Sequence, residues 1–289
     1  MLKNSSKDRV FLLFSYIFLP AYYFHITRAR RLFEFFSWMY IYPFFFIFFI
    51  FLYSTDYSLL FSFVFYFLSI FHVYESGYIE NDIQTVKKEE KPTIRHTRSD
   101  QFFINKNYYM IQRLRCVVSI LFLVISSFFA STLWVLFYGA VGLILCKVLF
   151  FLHNSIRSNL NILTYFMLVS FRYLSCLFFA FIFLNEIKAS YLCLTVLVML
   201  LFPVVRTIEH ASKPRYKIFF LSFIVRNMDV FRVCYYFCLF LVFLLIFLWF
   251  DFGSEFVLMS LYFLVYRVCI YVYVKIIGYR RTKNPSYGE

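Results

Sequence analysis

Residues 42–52 read YPFFFIFFIFL, a run with no charged side chain and no alternation of apolar with polar residues. A strand of an outer-membrane barrel alternates the two, so this run excludes that architecture. With its flanks, residues 36–53, it approaches the roughly 20 apolar residues that a helix needs to cross a hydrocarbon core of about 30 Å. Comparable stretches recur along the chain. Of its 289 residues 63% are hydrophobic, and the mean hydropathy is +0.75. Soluble domains are nearer half apolar, so the excess must face lipid. The sequence therefore predicts an all-α, polytopic transmembrane helical bundle of about eight to nine spans, with little chain left for a separate soluble domain.

Working outward, residues 1–9 form a short basic tail. Residues 10–26 are apolar but interrupted by Pro20 and His25, and Arg28, Arg30 and Arg31 follow at once. Crossing fully would put basic clusters on both sides, against the concentration of Lys and Arg in cytoplasmic loops. Residues 1–35 thus read as a basic tail and an interfacial or re-entrant helix. The bundle proper occupies residues 36–275, with spans at 36–53, 58–74, a hairpin over 116–152 turning near Ser131 and Thr132, then 162–184, 191–205, 233–250 and 256–274. Polar loops 75–115 and 206–232 face the cytoplasm, with 217–232 as an amphipathic surface helix; residues 276–289 are a basic cytoplasmic tail. The outer turns carry Asp56, Glu186, Asp251 and Glu255 against Lys188 alone. Both termini are expected in the cytoplasm, with the chain integral to a bacterial inner (plasma) membrane.

A net charge of +14 does not point to nucleic acid, because topology and anionic membrane lipids both place bases in juxtamembrane loops. The 45 Phe and 25 Tyr fit two readings: a compositional bias in which Phe replaces Leu toward lipid, or an aromatic-lined cavity for an isoprenoid or carbocation. The seven Cys lie almost entirely in apolar stretches and read as small apolar residues rather than a disulfide framework. No P-loop, Ser/His/Asp constellation or metal-binding Cys/His spacing occurs.

Chemistry concentrates in two polar islands, residues 74–98 (YESGYIENDIQTVKKEEKPTIRHTR) and residues 206–216 (RTIEHASKPRY). Glu75, Asp82 and Glu89 recur every seven residues, one helical face with steps of about 10 Å. Asn81 and Asp82 have the oxygen chemistry for Mg²⁺, which uses one or two carboxylates plus substrate phosphate. Lys87, Lys88, Lys91, Arg95 and Arg98 would neutralise phosphate, Arg in bidentate fashion. The alternative is a solvated loop whose charges only set topology. His210, beside Glu209, reads as a general base or as a histidine packed against head groups. Arg172 and Arg267 lie inside spans, where an ionisable residue is costly and functional by default. The expectation is that both islands close over one lipid-walled chamber.

Asn81–Asp82 at the end of a span, followed by Lys91, Pro92 and Arg95, resembles the first signature, NDxxDxxxD, of the UbiA superfamily of intramembrane prenyltransferases. Members are bundles of about nine spans with acidic loops after the second and sixth, where the islands fall here. The signature's later acids correspond to Thr85 and Glu89. The DxxxD-type pair of the second loop corresponds to Glu209 and Lys213. The resemblance implies a UbiA-like fold and a transferase acting on a polyprenyl phosphate or diphosphate. Asn81 and Asp82 would be catalytic, and Asn81, Asp82, Glu89 and Glu209 would hold Mg²⁺. Lys87, Lys91, Arg95, Lys213, Arg215 and Arg172 would meet the substrate phosphate. The degenerate acids leave open a non-catalytic lipid-binding, assembly or transport protein on the same fold.

Overall fold

The structure, a computed structural model, describes residues 6–88, 93–156, 158–183, 191–213, 216–221, 224, 227–251 and 253–277. Regular structure among the described residues is entirely helical. Eight helices are long and apolar enough to cross a membrane, or nine if a bent N-terminal pair counts as one span. The chain is thus a polytopic α-helical membrane protein. It divides into two compact units, residues 1–156 with 175–185 and 284–289, and residues 157–174 with 186–283.

The first unit contains α1 (Ser6–Phe18), α2 (Tyr22–Arg28), α3 (Leu32–Ile41), α4 (Pro43–Tyr53), α5 (Tyr57–Ile83), α6 (Arg98–Lys106), α7 (Tyr108–Ala130) and α8 (Leu133–Ser155). Its axis is α5, which continues through the start of the first polar island and buries Glu75 and Asp82. Seven-residue spacing explains the packing of α5 on α7. Ser62 and Ser126 each donate to the other's carbonyl, and Ser69 and Ser119 do the same, at 2.7–2.8 Å. One heptad on, Gln112 donates to the Ser76 carbonyl at 2.8 Å. Small hydroxyl residues allow two backbones to approach closely where lipid offers no hydrophobic drive, and the heptad keeps them on one seam. Against α8, a Cβ at Gly77 would lie 2.2 Å from Phe150 Cγ, so only glycine admits that ring.

Aromatic rings fill the interior of this unit. Trp38 and Phe71 have centroids 4.8 Å apart, and Tyr74 and Phe150 4.7 Å. Other Phe residues, such as Phe128, Phe137 and Phe151, are exposed on faces with nothing polar to meet. Phe thus serves both as interior packing and on the outer faces. The hairpin between α7 and α8 turns at Ser131, with φ 51°, and at Thr132, whose hydroxyl caps α8 at Trp134 N. The first long span begins at Leu32 and is interrupted at Tyr42 because Pro43, at the first turn of α4, has no N–H to donate.

At the N-terminus α1 and α2 meet at 108°, with Ala21 in the left-handed region at φ 62°. Carbonyls and amides freed by such a bend must find partners. Arg115 donates to Tyr16 O at 2.5 Å, and His72 Nε2 lies 2.7 Å from Ile17 O. Glu75 accepts from Ala21 N at 3.0 Å and Phe24 N at 2.7 Å. The bend is thus held by three side chains of the bundle. Glu75 and Arg115, expected in a cytoplasmic loop, belong instead to the helical core, where they neutralise each other at 2.5 Å with both side chains fully buried.

The second unit contains the N-terminal part of α9 (Asn161–Phe183), α10 (Tyr191–Met199), α11 (Val205–Ala211), α12 (Met228–Phe250) and α13 (Ser254–Ile277). Between α10 and α11 the helix widens into a π turn, Leu200–Val204, around Pro203. Carbonyls released there are taken up by α12: Tyr235 donates to Leu200 O at 2.6 Å and Tyr236 to Leu201 O. The helix α12 starts at Met228, so part of the expected surface helix over 217–232 is the first turn of a span. Asp251 (φ 48°) and Gly253 (φ 85°) make the turn into α13.

Candidate functional site

In the last turn of α5 the two oxygens of Asp82 receive five donors. Oδ2 accepts from Arg28 Nη1 at 2.9 Å and Tyr23 Oη at 3.0 Å. Oδ1 accepts from Arg95 Nη1 at 2.7 Å, Arg28 Nη2 at 3.1 Å and Asn81 Nδ2 at 3.3 Å. Arg28 ends α2, which Glu75 anchors from one heptad earlier on α5. Arg28 also lies 3.8 Å from the centroid of the Tyr78 ring. Arg30 donates to Arg95 O at 2.8 Å and holds that segment beside α2.

Tyr23 has one proton, and it goes to Asp82. His96 Nε2, 2.9 Å from the same phenol oxygen, must therefore carry a hydrogen and donate it. Burial, the largest influence, pushes the His96 pKa below its ordinary 6.5, against the upward pull of Asp82 and Asp100. Burial thus favours the neutral imidazole of His96, in the tautomer that carries its hydrogen on Nε2. Lys87 is directed elsewhere, to Gln84 Oε1 at 3.2 Å and Asn105 Oδ1 at 2.9 Å. Glu89 and Lys91 lie outside the described residues.

The second unit repeats this arrangement with different residues. Glu209 accepts a fork from Arg232, Nε to Oε1 at 2.5 Å and Nη2 to Oε2 at 3.1 Å, and a third bond from Arg206 Nη1 at 2.5 Å. Arg232 Nη1 also reaches Asp229 at 3.0 Å. Beside this clamp His210 is buried, stacked on Tyr165 at 3.9 Å and 6°. Its Nε2 is 2.5 Å from Tyr216 Oη, which donates to Asn161 Oδ1 at 2.8 Å. Lys213 Nζ is 3.2 Å from His210 Nδ1. An ammonium only donates, so Nδ1 accepts and Nε2 carries the hydrogen. His210, for which the sequence admits a histidine packed against head groups or a general base, is buried rather than on the surface, with both ring nitrogens engaged. Arg172 is buried in α9, and Arg215 lies outside the described residues.

Of the expected Mg²⁺ ligands, the described ones, Asn81, Asp82 and Glu209, are not arranged to hold a metal, and Glu89 lies outside the described residues. Mg²⁺ requires oxygens in near-octahedral array at about 2.0–2.1 Å. Here each acid, Asp82 and Glu209, is ringed by two guanidinium groups that a cation would have to expel. Among the described residues no group of three His, Cys, Asp or Glu side chains could hold a metal ion. The arrangement suits an anion better. Arg95 uses only Nη1, toward Asp82, and Arg206 only Nη1, toward Glu209; their other N–H groups form rigid forks matched to phosphate or carboxylate.

Sequence reading brought out Asn81, Asp82, Arg95 and Glu209 and missed Tyr23, Arg28, His96, Arg206 and Arg232. The signal was present in part: a buried acid requires cations, and the seven-residue step from Glu75 to Asp82 marks an inward face. Comparison of the chain with protein-family models, with curated proteins and with solved structures finds no match. What the chain displays by itself is a polytopic α-helical membrane protein with eight candidate spans.

Proposed function

We propose that this protein binds the phosphate or diphosphate head group of a polyprenyl lipid at the cytoplasmic face through arginine, without a metal, as a non-catalytic lipid-binding component of the membrane. The observation that carries this reading is the excess of guanidinium over carboxylate around Asp82. Arg28 and Arg95 share one acid, Arg30 joins through the Arg95 carbonyl, and Arg95 retains Nε and Nη2 as donors. Arg28 and Arg95 keep 15% and 21% of their side chains exposed, so a head group can reach them. The polyprenyl tail is drawn from the resemblance of Asn81–Asp82 and its surroundings to intramembrane prenyltransferases, and the Phe-rich faces suit it.

One observation favours the transferase alternative: the Asn81–Asp82 pair does stand at the C-terminal turn of the second long span. That reading needs a metal to displace Arg28 and Arg95 from Asp82. The discriminating experiment is retention of radiolabelled polyprenyl diphosphate by the purified protein in EDTA or in Mg²⁺. Equal retention in both, without turnover and reduced by Arg28→Gln with Arg95→Gln, supports the proposal. Retention or product formation that depends on Mg²⁺ overturns it.

A further inference from the structure

The last span contains a charge to which no described acid is paired at salt-bridge distance. Arg267 lies near the middle of α13, ten residues or about 15 Å from Ile277, and is 7% exposed. Its contacts are ring faces: the guanidinium carbon is 4.9 Å from the Tyr266 centroid and 5.8 Å from that of Tyr236. Rings engage the flat face of a guanidinium and leave its in-plane N–H donors unserved. Arg267 Nε is buried with no acceptor. A cation at that depth is retained where something pairs with it.

Among the described residues no acid of the unit forms an ion pair with Arg267. Glu209 is held by Arg206 and Arg232, and Asp229 by Arg232. Asp251 and Glu255 stand at the far turn of the α12–α13 hairpin, Glu255 twelve residues or about 18 Å along the helix from Arg267. Yet the cations converge: Arg206 and Arg232 share Glu209, and Tyr236, one helical turn after Arg232 on α12, has its ring 5.8 Å from the Arg267 guanidinium. Arg206 is 31% exposed on its side chain and keeps Nε and Nη2 as donors, which gives a ligand its entrance. Among the described residues, three guanidiniums from three helices face two acids, an excess of positive charge.

We infer that the second unit holds its own oxyanion site, in which Arg206, Arg232 and Arg267, walled by Tyr173 and Tyr236, receive a phosphate or diphosphate group. Phosphate is preferred over carboxylate because it brings more negative charge and more acceptor oxygens to an excess of guanidinium, which binds it bidentately. The site uses residues of the second unit alone, so it does not rest on the polyprenyl reading of Asp82.

The test uses the full-length chain carrying Arg28→Gln and Arg95→Gln, which removes the first anion cluster, with EDTA present throughout. Binding is titrated by calorimetry with inorganic diphosphate in detergent and with nanodiscs of phosphatidylcholine with or without phosphatidic acid. Binding of diphosphate marks a soluble source and selective binding of phosphatidic acid a lipid head group; either supports the site. Adding Arg267→Gln should then weaken binding at least tenfold. If that variant does not fold, Arg267→Lys keeps the charge but loses the fork and should weaken binding by about the same factor. Failure of the Arg28→Gln, Arg95→Gln protein to bind either probe, or unchanged affinity after Arg267 replacement, overturns the inference. The polyprenyl reading fails separately, when the wild-type protein loses no diphosphate binding on replacement of Arg28 and Arg95.

Discussion

Replacing Asp82 by Asn separates a structural counter-ion from a metal ligand. The change keeps shape and removes one negative charge. Arg28 and Arg95, which converge on Asp82 Oδ1 at 3.1 and 2.7 Å, are left side by side without a partner, and the amide also returns two donors where five donors already point. Removing one member of a buried pair costs about 3–5 kcal/mol, mostly from the stranded charge. Asp82 is 1% exposed on its side chain, but the arginines are 15% and 21% exposed and regain some water, which places the expected loss near 3 kcal/mol. Thermal unfolding of the purified protein in EDTA reads this directly. Asp82→Asn should unfold at a lower temperature, and adding Arg95→Gln should recover part of the loss by removing one stranded cation. A metal ligand behaves oppositely without metal, since losing a repelled carboxylate relieves strain. Unchanged or higher stability of Asp82→Asn in EDTA, with wild type stabilised by Mg²⁺, would refute the counter-ion reasoning.

Three other outcomes follow from the first unit. Glu75→Gln should cost near the upper end of the same 3–5 kcal/mol range, because Glu75 and Arg115 are both fully buried; Glu75→Gln with Arg115→Met should recover much of it, measured as folded yield and unfolding temperature. Gly77→Ala puts a methyl group 2.2 Å from Phe150 Cγ and should destabilise by about 1–3 kcal/mol, with Phe150→Leu relieving the clash in the double variant. His96 gives a pH dependence: its pKa is lowered on folding from 6.5, so below that value the unfolded chain binds a proton that the folded one refuses. Stability should fall as pH drops from about 6.5 toward the lowered value, by at most about 1.4 kcal/mol per pH unit. A melting series from pH 7.5 to 5.5 should show that slope in wild type and a flatter one in His96→Asn.

Much of the bundle was legible because a long apolar run has few alternatives, and the turn at Ser131 and Thr132 stood out as the polar break in residues 116–152. Burial of charge was less legible. Glu75 and Arg115 are forty residues apart, and only the antiparallel α5–α7 seam, set by Ser62, Ser69, Ser119 and Ser126, brings them together. A charge in a polar stretch reads as solvated until its partner is known. For the same reason Asp82 read as a metal ligand, since its neighbours in sequence include acids while its neighbours in space are Arg28 and Arg95. The bend at residues 19–21 was suggested by Pro20, but its anchoring by His72, Glu75 and Arg115 depends on chain fifty or more residues away.

The claim that arginine rather than metal surrounds Asp82 is tested most directly with Mn²⁺, a paramagnetic stand-in for Mg²⁺. Electron paramagnetic resonance of the free ion is recorded as purified protein is added, with and without polyprenyl diphosphate. The account predicts that wild type and Asp82→Asn leave identical free-ion signals under both conditions. Bound Mn²⁺ in wild type that disappears on Asp82→Asn would contradict it.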